Sequence, residues 1–99
     1  MAATKEKLVK QRVVAQLKEL GVYYFYPTTG GFGSSGVPDI VCCYQGRFIG
    51  IECKAGKGKT TALQDKNLKE ISEAGGLAMV VNEENVDDVT AVLTDLLRF

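Results

Sequence analysis

The sequence predicts a mixed α/β fold, a central β-sheet flanked by helices in the order α-β-β-β-α-β-α. Three observations predict it. Apolar residues recur at helical spacing near both ends of the chain. Runs rich in β-branched and aromatic residues occupy 22–26, 37–44, 47–54 and 77–81. Glycine punctuates most changes of period. A chain of 99 residues has room for one core, so a single domain over 1–99 is expected, with no internal repeat.

The elements follow in order. Residues 5–20 form an amphipathic helix with Val9, Val13, Leu17 and Leu20 as its inward stripe, and Gly21 supplies the stop. A strand over 22–26 is halted by Pro27. Residues 28–36, rich in glycine and serine, form a loop. Strands over 37–44 and 47–54 meet at Gln45-Gly46 and read as a hairpin. A basic loop over 55–59 leads into a second helix that Thr61 opens and Gly75-Gly76 ends. A short buried strand spans 77–81. Asn85 caps the last helix, 86–98, with Asp87 and Asp88 in the first turn and Val86, Val89, Leu93 and Leu96 facing the core.

Composition excludes several classes of function. No apolar run approaches the roughly 20 residues of a membrane span, and residues 1–6 lack the apolar stretch of a secretion signal, so a cytoplasmic protein is expected. Cys42, Cys43 and Cys53 read as reduced, buried thiols rather than a disulfide frame. Without histidine, imidazole acid–base catalysis and Ser–His or Cys–His nucleophiles are impossible, and with no paired C-x-x-C a structural zinc site is disfavoured. The net charge is zero but uneven: residues 1–70 carry 11 basic and 6 acidic side chains, residues 71–99 carry 1 and 6. That division permits one face to meet phosphate.

The hairpin carries the chemistry. With its turn at Gln45-Gly46, facing residues have numbers that sum to 91, which sets Asp39 opposite Glu52 with Cβ atoms about 5 Å apart. Two opposed carboxylates repel unless a cation lies between them, and magnesium takes oxygen ligands of this kind. Strand alternation puts Lys54 on the Glu52 face, within reach of a phosphate or a water. Glu6, three residues before Val9, falls within the angular range of the first helix's core stripe and is expected to face inward as a third ligand. Gln64 shares the stripe of Leu68 and Ile71 on the second helix and is placed to orient a water or a phosphate.

Plainer readings stand beside these. Glu52 and Lys54 alone describe a solvated strand face; their pairing with Asp39 is what sets them apart. Gln64 also completes a Thr61-Ala62-Leu63-Gln64 capping box, and both readings are open. Glu6 also suits a first-turn acid complementing the helix dipole. Lys57, Lys59 and Lys10 fit solvated charges, although a basic loop beside the site is suited to DNA backbone. Phe32, in the glycine-rich loop, is a candidate stacking residue for DNA. The segment ending Lys59-Thr60 is not a phosphate-binding P-loop, because its first required glycine is Cys53.

Gly36-Val37-Pro38-Asp39, then Glu52-Cys53-Lys54 after twelve intervening residues, then Gln64 entering a helix, resembles the signature of the PD-(D/E)XK nucleases. More narrowly it resembles the virus-type replication-repair nuclease (VRR-NUC) family in its stand-alone phage and bacterial form. The likeness runs from Glu6 to about Val81. It implies a restriction-endonuclease-like fold and a DNA endonuclease using Mg²⁺ or Mn²⁺, in a bacterial cell or a phage-infected host. Asp39 and Glu52 would bind metal together with the backbone carbonyl of Cys53, and Lys54 would assist the nucleophile. Stand-alone members are similar to archaeal Holliday-junction resolvases and act as homodimers on four-way junctions, which sets the expected partners as branched DNA and a second copy. Leu8, Leu97 and Phe99 are the apolar candidates for that contact. The alternatives are a flap, splayed-arm or general DNA nuclease of the same fold, and a non-catalytic junction-binding module. Cys53 stands where valine is common in the family, without consequence for a carbonyl ligand, and Glu6 falls near the family's helix-one acid.

Overall fold

A computed structural model of the chain describes residues 4–28 and 36–95. Helix α1 (Lys5–Leu20) begins where the Thr4 side chain accepts the Lys7 N–H and ends at Gly21, whose φ of 74° no β-carbon opposes. Strand β1 (Tyr23–Phe25) follows, then β2 (Ile40–Tyr44), β3 (Arg47–Cys53), helix α2 (Ala62–Glu73), β4 (Leu77–Val81), a 3₁₀ turn (Val86–Asp88) and helix α3 (Val89–Asp95). The expected element order is present. The sheet runs β1-β2-β3-β4, antiparallel through the first three strands and parallel between β3 and β4, with α2 as the crossover.

The hairpin turns as its spacing requires. Gln45 and Gly46 both have positive φ, 53° and 79°, the geometry of a two-residue type I′ turn. Every ladder pair from Tyr44↔Arg47 to Ile40↔Ile51 keeps the predicted register.

Alternation along the strands then divides the molecule. One face presents Ile40, Cys42, Ile49, Ile51 and Cys53 to Val9, Val13 and Leu17 of α1 and to Val86, Val89 and Leu93, forming the buried core. On the other face α2 packs against β3 and β4 without a fully buried residue of its own. Tyr23, Phe25 and Phe48 remain exposed on that face.

Several expectations need correction. Cys43 is exposed, because the pleat turns it away from the core that buries Cys42. Only Val81 of β4 is buried, since β4 is an edge strand with a helix covering it incompletely. The last helix opens as a 3₁₀ turn, and Asn85 makes no side-chain cap there. Its amide instead bridges the preceding loop, accepting the Asn82 N–H at 2.8 Å and donating to the Val80 carbonyl at 3.0 Å. Leu96, Leu97 and Phe99 lie outside the described residues.

Gly36 ties the segment before Asp39 to α2. A β-carbon there would stand 2.7 Å from the Leu63 carbonyl carbon and 2.9 Å from the Gln64 nitrogen, at a φ of 93°. Clash and backbone strain act together, so Gly36→Ala is expected to destabilise by about 2–4 kcal/mol. A fall of the melting temperature by roughly 10 °C or more in calorimetry is the expected result; an unchanged melt contradicts it.

Candidate metal centre

The site forms at one end of the hairpin. Asp39 sits one residue before β2, just past the last ladder pair, in a bend. Its Oδ2 accepts the Cys53 N–H at 2.8 Å, which holds the carboxylate against the end of β3. Glu52, the next-to-last residue of β3, is 2% exposed and the one charged side chain in the buried set among the described residues. Glu6 reaches the same place from the first turn of α1. One carboxylate oxygen from each of Glu6, Asp39 and Glu52 lies within 4.8 Å of the other two.

Two cationic or polar groups attend the acids. Lys54 Nζ stands 3.7 Å from Glu52 Oε2. Gln64 Nε2 donates to the same oxygen at 3.0 Å. The capping-box reading of Gln64 is correct, and the other end of the same amide turns to the acids. The Gln64 oxygen accepts the Thr61 N–H at 2.9 Å while the Thr61 hydroxyl accepts the Gln64 N–H at 3.2 Å, completing the capping box. The cap fixes the side chain, and the free NH₂ points at Glu52.

Glu6 departs from expectation in one respect. It is exposed rather than turned inward among apolar side chains. It occupies the first helical turn, ahead of the stripe that begins at Val9, so its carboxylate reaches Asp39 and Glu52 from the solvent side. Lys57 and Lys59 are exposed in the loop after β3, whose base is tied by the Gly56 N–H donating to Glu83 Oε1 at 2.8 Å. Phe32 lies outside the described residues.

Electrostatics sharpen the geometry. Burial raises Glu52 from 4.5 to about 7; the negative charge of Asp39 and a hydrogen bond with it add to the rise, and Glu6 adds further, against a smaller lowering by Lys54. One lysine therefore does not balance the acids. A divalent cation with a preference for oxygen ligands fits such a donor set, which contains no soft ligand in a reactive state. Burial pushes the Cys53 thiol up to about 12, with Asp39, Glu52 and Glu6 adding to the rise, and the Cys42 thiol up to about 11, with Cys43 adding to it. Both remain protonated at neutral pH and are unsuited to act as nucleophiles.

Two positioning features escape a sequence reading. Gly50 lies in β3 beneath Pro38 and Ile71; a β-carbon there would come 2.6 Å from Ile71 Cδ1 and 3.0 Å from Pro38 Cγ. Its signal is a lone glycine within a β-branched strand, which marks close approach. Tyr26 is the other: the Lys10 ammonium lies over its ring, 4.5 Å from the centroid, and no local spacing links the two residues.

In comparisons of sequence, no protein-family model matches the chain and no curated protein matches it. Solved structures do resemble it. A structure described as a VRR_NUC domain aligns with a TM-score of 0.75 at 22% identity, covering 90% of this chain and 97% of that one. A VRR_NUC domain protein aligns at 0.66 and 19%, covering 99% and 92%. Hjc, a Holliday junction resolvase from the archaeal hyperthermophile Archaeoglobus fulgidus, aligns at 0.57 and 21%, covering 78% of this chain and 65% of that one. These likenesses establish a shared fold, a mixed sheet flanked by helices of the restriction-endonuclease-like type.

Proposed function

We propose that this chain, having the fold of the VRR_NUC structures, is a metal-dependent DNA endonuclease of that family, acting as a homodimer that resolves Holliday junctions. The observation that carries the proposal is the convergence of Glu6, Asp39 and Glu52 at the end of the hairpin, with Lys54 beside them. Motif order and geometry coincide there.

Asp39 and Glu52, with the Cys53 backbone carbonyl, would hold Mg²⁺ or Mn²⁺, and Glu6 would ligate directly or through water. A bound divalent ion supplies Lewis-acid activation of water and of the phosphoryl oxygen. The residues do the rest. Gln64 orients the Glu52 carboxylate from its capped position. Lys54 presents a positive charge where the phosphorane-like transition state gathers negative charge. Lys57 and Lys59, free of ion pairs among the described residues, face the DNA backbone.

The homodimer draws support from exposed apolar side chains, Leu8 on α1 and Tyr23, Phe25 and Phe48 on the sheet. Symmetric cutting of a four-way junction also requires two sites. The test compares cleavage of a four-way junction, a 5′ flap and linear duplex with Mg²⁺ or with chelator. Faster Mg²⁺-dependent cutting of the junction is expected. Preference for linear DNA would overturn the resolvase assignment, and sedimentation showing only monomer would remove the dimer. Junction binding without any cutting in Mg²⁺ or Mn²⁺ would make the protein a binding module instead.

A further inference from the structure

Lys10 follows Glu6 by one helical turn, the spacing at which a glutamate and a lysine pair along a helix. It makes no ion pair with Glu6 or with any other acid among the described residues. Its ammonium instead lies over the Tyr26 ring, 4.5 Å from the centroid. A lysine so held is attracted to the face of the ring, which limits where its ammonium can go.

Topology sets this pair against the acids. The register Phe25↔Val41 brings the end of β1, where Tyr26 follows, alongside the start of β2, where Asp39 precedes Ile40. On the other flank Lys54 follows β3, its N–H donating to the Val81 carbonyl of β4 at 2.9 Å. The Lys10–Tyr26 pair thus flanks the Asp39 end of the hairpin on the β1 side, while Lys54 extends from the end of β3, next to β4, with its ammonium 3.7 Å from Glu52. Tyr26 is itself 47% exposed, which leaves the rim beside the pair open to a ligand.

We infer that Lys10, held by Tyr26, is a DNA-binding residue that contacts a backbone phosphate next to the one being cut, on the side of the acid cluster away from Lys54. The inference rests on the nuclease reading. A strand crossing an acidic site needs positive charge before and after it, and Lys54 supplies only one side. Tyr26 acts as a positioning residue, through Lys10.

The test measures binding of a labelled four-way junction across a KCl series without divalent metal, and cleavage with Mg²⁺ in parallel. Lys10→Gln, which retains helix propensity, is expected to weaken binding about 5-fold at low salt and to reduce the salt slope by about one. Lys10→Arg is expected to keep the slope. Tyr26→Phe should match the parent, because the ring face is retained, while Tyr26→Leu should weaken binding about 2- to 3-fold with the slope of the parent. Thermal melts of all four show which variants remain folded, and the arginine and phenylalanine variants keep the test valid if a neutral one unfolds. A parent that cuts DNA while Lys10→Gln leaves both slope and affinity unchanged overturns the Lys10 assignment alone. A parent that neither binds nor cuts overturns the nuclease reading on which it rests.

Discussion

Lys54→Ala and Asp39→Asn are each expected to lower Mg²⁺-dependent cleavage by at least about 100-fold, without loss of the folded state. The magnitude follows from the removal of one preorganised charge from a reacting centre, which costs about 10²–10³ in rate. Lys54 is held 3.7 Å from Glu52, at the edge of the acid cluster, so its ammonium needs no reorganisation to meet a phosphoryl group. Asp39→Asn is the cleaner test of the carboxylate. The side-chain amide it introduces keeps a carbonyl oxygen able to accept the Cys53 N–H that Asp39 Oδ2 now accepts at 2.8 Å, so the bend before β2 keeps its anchor while the negative charge is lost. Single-turnover cleavage with saturating enzyme isolates the chemical step from binding. Equal rates for the parent and both variants would end the assignment of this site.

Glu52→Gln is expected to stabilise the metal-free protein, by an amount that grows as pH rises from about 4.5 to about 7 and is constant above that. The folded state holds the Glu52 proton up to about 7, where the unfolded chain releases it near 4.5. This group therefore favours the folded state fully below about pH 4.5, and its contribution is lost as pH rises through 7. The difference amounts to about 3 kcal/mol, on the order of 10 °C in a domain this small. Glutamine keeps an oxygen to accept from Gln64 and never ionises. Melting curves from about pH 5 to about pH 8.5 in chelator should show the parent losing stability relative to Glu52→Gln as pH rises. Adding Mg²⁺ should restore the parent at about pH 8 and leave the variant little changed, as expected of a ligand bound by the folded state alone. Parallel pH profiles for the two proteins would contradict the buried-acid account.

The coincidence of stability and site is physical rather than incidental. An acid cluster that costs free energy when empty is one that binds a cation well, because the ion removes the repulsion it finds there. The same reasoning explains why Gln64 serves two purposes. A side chain locked by a helix cap has no freedom left to lose when it orients Glu52.

Much of this was legible before any coordinate. Period-2 alternation and a two-residue turn determine the register of the hairpin, so Tyr44 to Ile40 pair as their numbers require and Glu52, Lys54 and the core residues Ile49, Ile51 and Cys53 separate onto opposite faces. Glycine at position 21 and threonine at 4 and 61 act through contacts within a few residues, so the helix ends they set are local properties. Asn85 misled because its side chain had two local partners to choose between, and the loop before it won.

What the chain alone determined is therefore whatever depends on neighbours in sequence: the elements and the hairpin register, which runs from Tyr44↔Arg47 to Ile40↔Ile51 and stops one residue short of Asp39. Only the tertiary structure decided how far the layers extend. It left Glu6 on the solvent side, exposed Cys43, half-covered β4, and set Lys10 of one element on Tyr26 at the end of another. The physical reason is that burial and charge–charge distance arise from the packing of separate elements, and spacing along one element carries no record of where its neighbour ends.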